Sequence, residues 1–211
     1  MMPRPARVQL FATCLVDRFL PAAGHAAVEV LERAGVEVHV PGDQTCCGQP
    51  AFNAGFADDA AAMARATIDV LSRSADPVVV PSGSCADMIV NRYPELLAAD
   101  ATYGPKAKEL AARTYEFSQF LVDVLGVEPP AMPAGPSLAY HASCHGLRGL
   151  GLGEQPRRLL PATAADRVAI CGAAAQVLVD HLDRADLLFS DEARELERGR
   201  ERIERCHLAS S

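Results

Sequence analysis

Residues 44 to 55 read Gln44-Thr45-Cys46-Cys47-Gly48-Gln49-Pro50-Ala51-Phe52-Asn53-Ala54-Gly55. Adjacent side chains point to opposite faces of a strand and diverge by about 100° on a helix, so two neighbouring thiols serve one centre most easily from an irregular loop. Gly48, Pro50 and Gly55 supply the turn residues for such a loop. A paired thiolate of this kind suits a polynuclear iron–sulfur cluster, because soft sulfur ligands select iron–sulfur, zinc or copper(I) over hard cations. Further thiols should then converge on the pair from elsewhere in the chain.

Two candidates flank it. On the amino-terminal side, 31 residues separate Cys14 from Cys46, and on the other side 37 separate Cys47 from Cys85. Val8-Gln9-Leu10-Phe11-Ala12-Thr13 predicts a buried strand running into Cys14, followed by a helix from about Ala22 to Ala34 and a second strand over Val36-Glu37-Val38-His39-Val40. Beyond Gly55, Ala60, Met63, Ala64, Thr67, Ile68 and Leu71 recur at helical spacing in a helix from about Ala57 to Arg73. Val78-Val79-Val80 predicts a short buried strand, and Pro81-Ser82-Gly83-Ser84-Cys85 a loop after it. Strand and helix alternate with cysteines at the carboxyl ends of the strands, which is the logic of an open parallel α/β sheet.

Farther on, short helices are expected over Ala86 to Arg92 and Pro94 to Ala99, and one long helix from Pro105 to Leu125. Glu128 to Pro136 holds four prolines and a glycine and reads as a linker, which divides the chain into a first domain over 1–128 and a second over 137–211. The second begins as the first does. Ser137-Leu138-Ala139-Tyr140-His141-Ala142-Ser143-Cys144 predicts a strand running into a cysteine, Cys171-Gly172 follows after 26 residues, and Cys206 after 34 more. The order Cys, Cys-Gly, Cys is an internal repeat, with one thiol of the adjacent pair missing from the second copy. The fold class expected is therefore α/β, two pseudo-repeats with Rossmann-like parallel sheets flanked by helices, the second incomplete.

Composition narrows the function classes. The 211 residues carry a formal charge of -7, a pI near 5.3 and 49% apolar residues. Such a balance suits a folded protein without a phosphate-binding surface, so no nucleic-acid partner is expected. No apolar run approaches the roughly 20 residues that span a bilayer, and Val8 to Ala12 is too short for the core of a signal peptide. A cytoplasmic protein with no membrane span is the expectation, and seven cysteines there favour metal or redox chemistry over a disulfide framework. Gly149 and Gly151 lack the spacing of a dinucleotide fingerprint.

For Cys14, Cys46, Cys47 and Cys85 the competing chemistries are a zinc site, a redox disulfide at the adjacent pair, or plain buried thiols. Zinc motifs usually bring two Cys-x-x-Cys knuckles, absent here. Cys144 is a further candidate ligand. His141 and His145 are candidate donors to cluster sulfur or, equally, satisfied loop histidines, and Gln49, Asn53 and Ser82 are candidate supporting groups.

A wider set of residues carries a family likeness: Thr13-Cys14-Leu15-Val16-Asp17, Gln44 to Gly55, Pro81 to Cys85, Thr114-Tyr115-Glu116-Phe117, His141 to Gly151 and Glu154-Gln155-Pro156-Arg157. On these the chain resembles the cysteine-rich CCG iron–sulfur domain family and, within it, the A-type subunits of L-lactate utilisation complexes. The iron–sulfur subunit of glycolate oxidase and the catalytic subunit of heterodisulfide reductase are more distant relatives. The resemblance implies a [4Fe–4S] cluster on Cys14, Cys46, Cys47 and Cys85, with Cys144 near it. It also implies an electron-transfer role beside a ferredoxin-type iron–sulfur partner subunit, in an oxidoreductase complex that converts L-lactate to pyruvate. Alternatives are a heterodisulfide-reductase-like thiol or disulfide chemistry and an inactive or zinc-stabilised remnant. Two features depart from the resemblance: Ser82 stands where the motif of the heterodisulfide reductase catalytic subunit has the first cysteine of Cys-x-x-Cys, and from about Pro161 the family's second Cys-Cys-Gly is missing.

Overall fold

The computed structural model describes residues 4–128 and 142–159. Four parallel strands form one sheet: β1 (Arg7–Leu10), β2 (Glu37–His39), β3 (Val78–Val80) and β4 (Thr114–Glu116), in the spatial order β2-β1-β3-β4. Val8 pairs with Val38, Leu10 with Val79, and Val79 with Tyr115. The chain thus moves from β1 to one side and then returns to the other side of β1. That reversal places a topological switch point between β1 and β3, where open α/β sheets open a crevice at the strands' carboxyl ends.

Alternation along the strands separates two cores. Val8, Leu10 and Val79 face one layer with Leu31, Phe117, Phe120 and Leu121. Val78 and Val80 face the other with Phe11, Ile68, Leu71, Met88, Ile89 and Tyr93. Gln9, between Val8 and Leu10, is 1% exposed, and its amide donates to the carbonyls of Leu71, Ser74 and Asp76. A buried polar side chain is tolerated where its donors are satisfied.

Helices cover both faces. α1 (Cys14–Arg18) is a single turn capped by Thr13, α2 (Pro21–Arg33) starts on a first-turn proline, and α3 (Gln49–Asn53) follows the cysteine pair. α4 (Ala57–Leu71) buries Ala60, Ala61, Ala64, Thr67 and Ile68, and its Ala60, Ala64 and Ile68 join the core layer of Val78 and Val80. After β3 comes α5 (Gly83–Asp87), a π-helical turn Met88–Arg92 and α6 (Tyr93–Leu96), then α7 (Tyr103–Ala112). α8 (Phe117–Gln119) leads into a second π turn, Phe120–Val124. In the later segment a third π turn, His145–Gly149, precedes α9 (Gln155–Arg158). Leu159 is buried in the same layer as Leu31 and Phe120, so residues 142–159 pack onto the first half.

Five expectations need correction. The long helix over Pro105 to Leu125 is two helices with β4 between them, because Thr114 and Glu116 are buried at the sheet edge and the Glu116 side chain caps α8, accepting from the N–H groups of Ser118 and Gln119. The loop over Pro81 to Cys85 is shorter than expected, and Cys85 lies inside α5. β1 ends at Leu10, so Cys14 is the first residue of α1 and not the strand's last, and part of the Gln44–Gly55 loop, from Gln49 to Asn53, is helix. Finally, Cys144 opens a helical turn rather than closing a strand. Residues 137–141 of that expected strand lie outside the described residues, as do His141, Cys171 and Cys206.

Candidate metal centre

All four thiols of the first half gather at the carboxyl end of the sheet. Cys14 is delivered by the turn after β1, Cys46 and Cys47 by the loop after β2, and Cys85 by α5 after β3. These are the strand ends that surround the switch point.

The loop after β2 is held open and in place by side chains. The Gln44 amide donates to the carbonyls of Leu10 and Pro41 at 3.1 and 2.8 Å, and its oxygen accepts from Ala12 N–H at 2.9 Å. One side chain thereby ties the cysteine loop to the end of β1. Gly48 then takes φ +83°, and a Cβ there would stand 3.2 Å from Met63 Cβ and 3.3 Å from the Ala60 carbonyl oxygen. Only glycine meets both demands at low cost. On the far side of the pair, the Tyr93 hydroxyl, fully buried, donates to the Cys47 carbonyl at 2.8 Å.

Within this frame the thiols form two pairs. Cys46 Sγ lies 3.7 Å from Cys14 Sγ, both half-buried. Cys47 and Cys85, 1% and 7% exposed, lie in the core layer that holds Phe11 and Tyr93, and each shifts the other's ionisation. The backbone N–H groups of Leu15 and Gln49 favour the ionised forms of Cys14 and Cys47.

Electrostatics follow from this crowding. The Cys85 thiol is pulled below its ordinary range by the hydrogen bond from Cys47 and by the Ser82 and Ser84 hydroxyls. The same shared hydrogen bond, with burial, pushes Cys47 up. Burial, then Cys46 and Cys85, push Cys14 up. Four thiolates this close repel one another, and a cationic iron or zinc core is what would let all four ionise. Among the described residues, no three His, Cys, Asp or Glu side chains draw together as a single-ion site does. Soft sulfur donors of this kind suit iron–sulfur, zinc or copper(I) over hard cations.

Cys144 is exposed, at the start of the turn His145–Gly149, which packs against α5. His145 is committed elsewhere than sulfur: its Nδ1 lies 2.7 Å from Asp87 Oδ2 and its Nε2 3.2 Å from Gln49 Nε2. Of the two readings open for it, donor to cluster sulfur or satisfied loop histidine, these contacts fit the second. Ser82 does reach the site, through Cys85, and Gln49 does through its backbone and its amide. Gln44, Asp87, Asn91 and Tyr93 are the residues the sequence left unmarked. Only Asp87 carried a usable signal, a lone charge within the apolar run Ala86 to Val90.

The cysteine-rich domain model CCG matches residues 8–90. Lactate utilization protein A of Geobacillus sp. (strain WCH70) is 47% identical over 154 residues, 73% of this chain and 64% of that relative. The protein named Lactate utilization protein A 2 of a Bacillus cereus strain is 44% identical over 154 residues, 73% of this chain and 63% of its own length. That of Shouchella clausii (strain KSM-K16), Lactate utilization protein A, is 46% identical over 172 residues, 78% of this chain and 71% of the relative. The chain thus spans a little under two thirds of the length of the first two relatives. Together with the thiol loop and the parallel sheet, this makes the chain a member of the Lactate utilization protein A family, its first part a cysteine-rich CCG domain.

Proposed function

We propose that Cys14, Cys46, Cys47 and Cys85 hold a [4Fe–4S] cluster, and that the chain is the iron–sulfur electron-transfer subunit of a complex oxidising L-lactate to pyruvate. The observation that carries the reading is the convergence of these four thiols, as two pairs, on the crevice at the switch point. Bound there, the cluster would supply one-electron transfer. Lactate releases two electrons and two protons on becoming pyruvate, so the electrons leave one at a time toward a ferredoxin-type iron–sulfur partner subunit. The chain's own residues do the holding: Gln44 fixes the loop, Tyr93 anchors the Cys47 backbone, and the N–H groups of Leu15 and Gln49 stabilise negative sulfur. Among the described residues no helix is long and apolar enough to cross a membrane. The relatives' names, which specify lactate utilisation, support the choice of substrate.

Iron, zinc and acid-labile sulfide, measured per chain after anaerobic purification with low-temperature EPR of the reduced protein, test the reading. About four irons with equal sulfide are expected, lost in Cys46→Ser and in Cys47→Ser. Stoichiometric zinc without sulfide would overturn the cluster. Iron that survives both substitutions would overturn the ligand set. For the lactate role, the loaded chain is added to the partner subunits; electron transfer from L-lactate that proceeds equally well without this chain would overturn it.

A further inference from the structure

The adjacent cysteines of the Gln44–Gly55 loop differ in access and in neighbours. Cys47 is 1% exposed in the layer of Phe11 and Tyr93, while Cys46 is half-buried with its sulfur 3.7 Å from that of Cys14. Two sulfurs at that separation stand at van der Waals contact, and a bond between them asks for a closing movement of less than about 2 Å. Hydrogen bonds of the protein itself bring them together from 31 residues apart. Gln44 ties the loop of Cys46 to Leu10 and Ala12 at the end of β1, and the Thr13 cap sets the turn that Cys14 opens.

The other bridges open to these thiols are disfavoured. Joining Cys46 to Cys47 would draw the Cys47 sulfur out of its layer, against the Tyr93 hydroxyl on the Cys47 carbonyl and against Gly48, wedged at φ +83° beside Met63 and Ala60. Cys47 and Cys85 are both buried, so a dissolved oxidant meets the half-buried outer pair first.

We infer that Cys14 and Cys46 form a reversible disulfide when the metal-free chain meets a small-molecule disulfide such as oxidised glutathione. One thiolate of the pair attacks a sulfur of the oxidant and displaces one glutathione thiolate. The second thiolate attacks the protein sulfur of that mixed disulfide and displaces the other glutathione. Two protein thiols are thereby oxidised to one disulfide, the oxidant is reduced to two glutathiones, and the two protons pass to them. The consequence for function rests on the cluster reading above: a bridge between two of the four proposed ligands leaves only Cys47 and Cys85, so cluster loading waits for a reductant.

The test equilibrates the metal-free full chain in glutathione buffers of rising oxidised share, alkylates the free thiols and maps the bridges by peptide mass spectrometry. The Cys14–Cys46 bridge should appear first, dominate, and vanish on return to reduced glutathione. A first bridge between any other two of the seven cysteines would overturn the inference. So would mixed disulfides with glutathione and no internal bridge. The mapping is done on the wild type, so it does not depend on a variant that folds. Iron and sulfide uptake is then followed from the bridged chain. It should be blocked until dithiothreitol is added and then match that of the chain kept reduced. Equal uptake with the bridge intact would overturn the gating. A reduced wild type that takes up no iron would sink the cluster reading alone, the bridge being decided by the mapping.

Discussion

The two thiol pairs occupy different surroundings. Cys47 and Cys85 lie in a core layer with Phe11, Ile68, Met88 and the fully buried Tyr93. Cys14 and Cys46 are half-buried and lie along the chain from exposed side chains, with Leu15 59% and Phe19 75% exposed on the turn that begins at Cys14. The inner pair is therefore held by packing that exists without any metal. The outer pair is held by a few hydrogen bonds, those of Gln44 and of the Thr13 cap. A redox centre needs both: a rigid wall that limits rearrangement when charge changes, and a side near solvent from which an electron can leave.

Serine scanning of the metal-free chain would break that comparison if it is wrong. Cys47→Ser and Cys85→Ser place a more polar hydroxyl in an apolar layer, and each should cost about 1–3 kcal/mol in urea unfolding. Cys14→Ser and Cys46→Ser, at half-buried positions, should cost less than about 0.5 kcal/mol. Equal losses at all four positions would mean that the outer pair is packed as tightly as the inner one.

Tyr93 sharpens the same point from the backbone side. Its hydroxyl is the donor to the Cys47 carbonyl, and Tyr93→Phe removes that bond while leaving the ring in the core. A loss of about 1 kcal/mol is expected, the usual net worth of such a bond. Hydrogen exchange at the amides of 46–48 should speed up with it. Unchanged exchange would show that Gly48 and Gln44 alone define the loop.

Much of this architecture was legible in the residues. Val78-Val79-Val80 could only be a buried strand, and the helical recurrence from Ala60 to Leu71 placed α4 to within two residues of its end. The adjacent thiols, with Cys14 and Cys85 at similar distances on either side, picked out the four side chains that converge. What failed was short or tertiary. β4 is three residues long, and Thr114-Tyr115-Glu116 between helical stretches leaves too few positions for alternation to register. The helix bearing Cys85 begins at Gly83, a residue that reads as loop until the cap geometry is seen. The line from Asn91 to Gln49 joins three segments whose meeting no local pattern encodes. Cys171 and Cys206, the other half of the expected repeat, fall outside the described residues.

The smallest effect concerns the outer side. Phe19 ends α1 and is 75% exposed, so its ring buries little against the chain. Phe19→Ser should shift the urea midpoint of the metal-free chain by less than about 0.5 kcal/mol, the range for surface changes away from packed or capped positions. Iron content should stay at the wild-type value, since none of the four proposed ligands is touched. A loss above about 1 kcal/mol would show that Phe19 packs against the chain in solution. The turn that begins at Cys14 would then be held by packing as well as by its Thr13 cap, and the contrast between a fixed side and an open side of the centre would narrow.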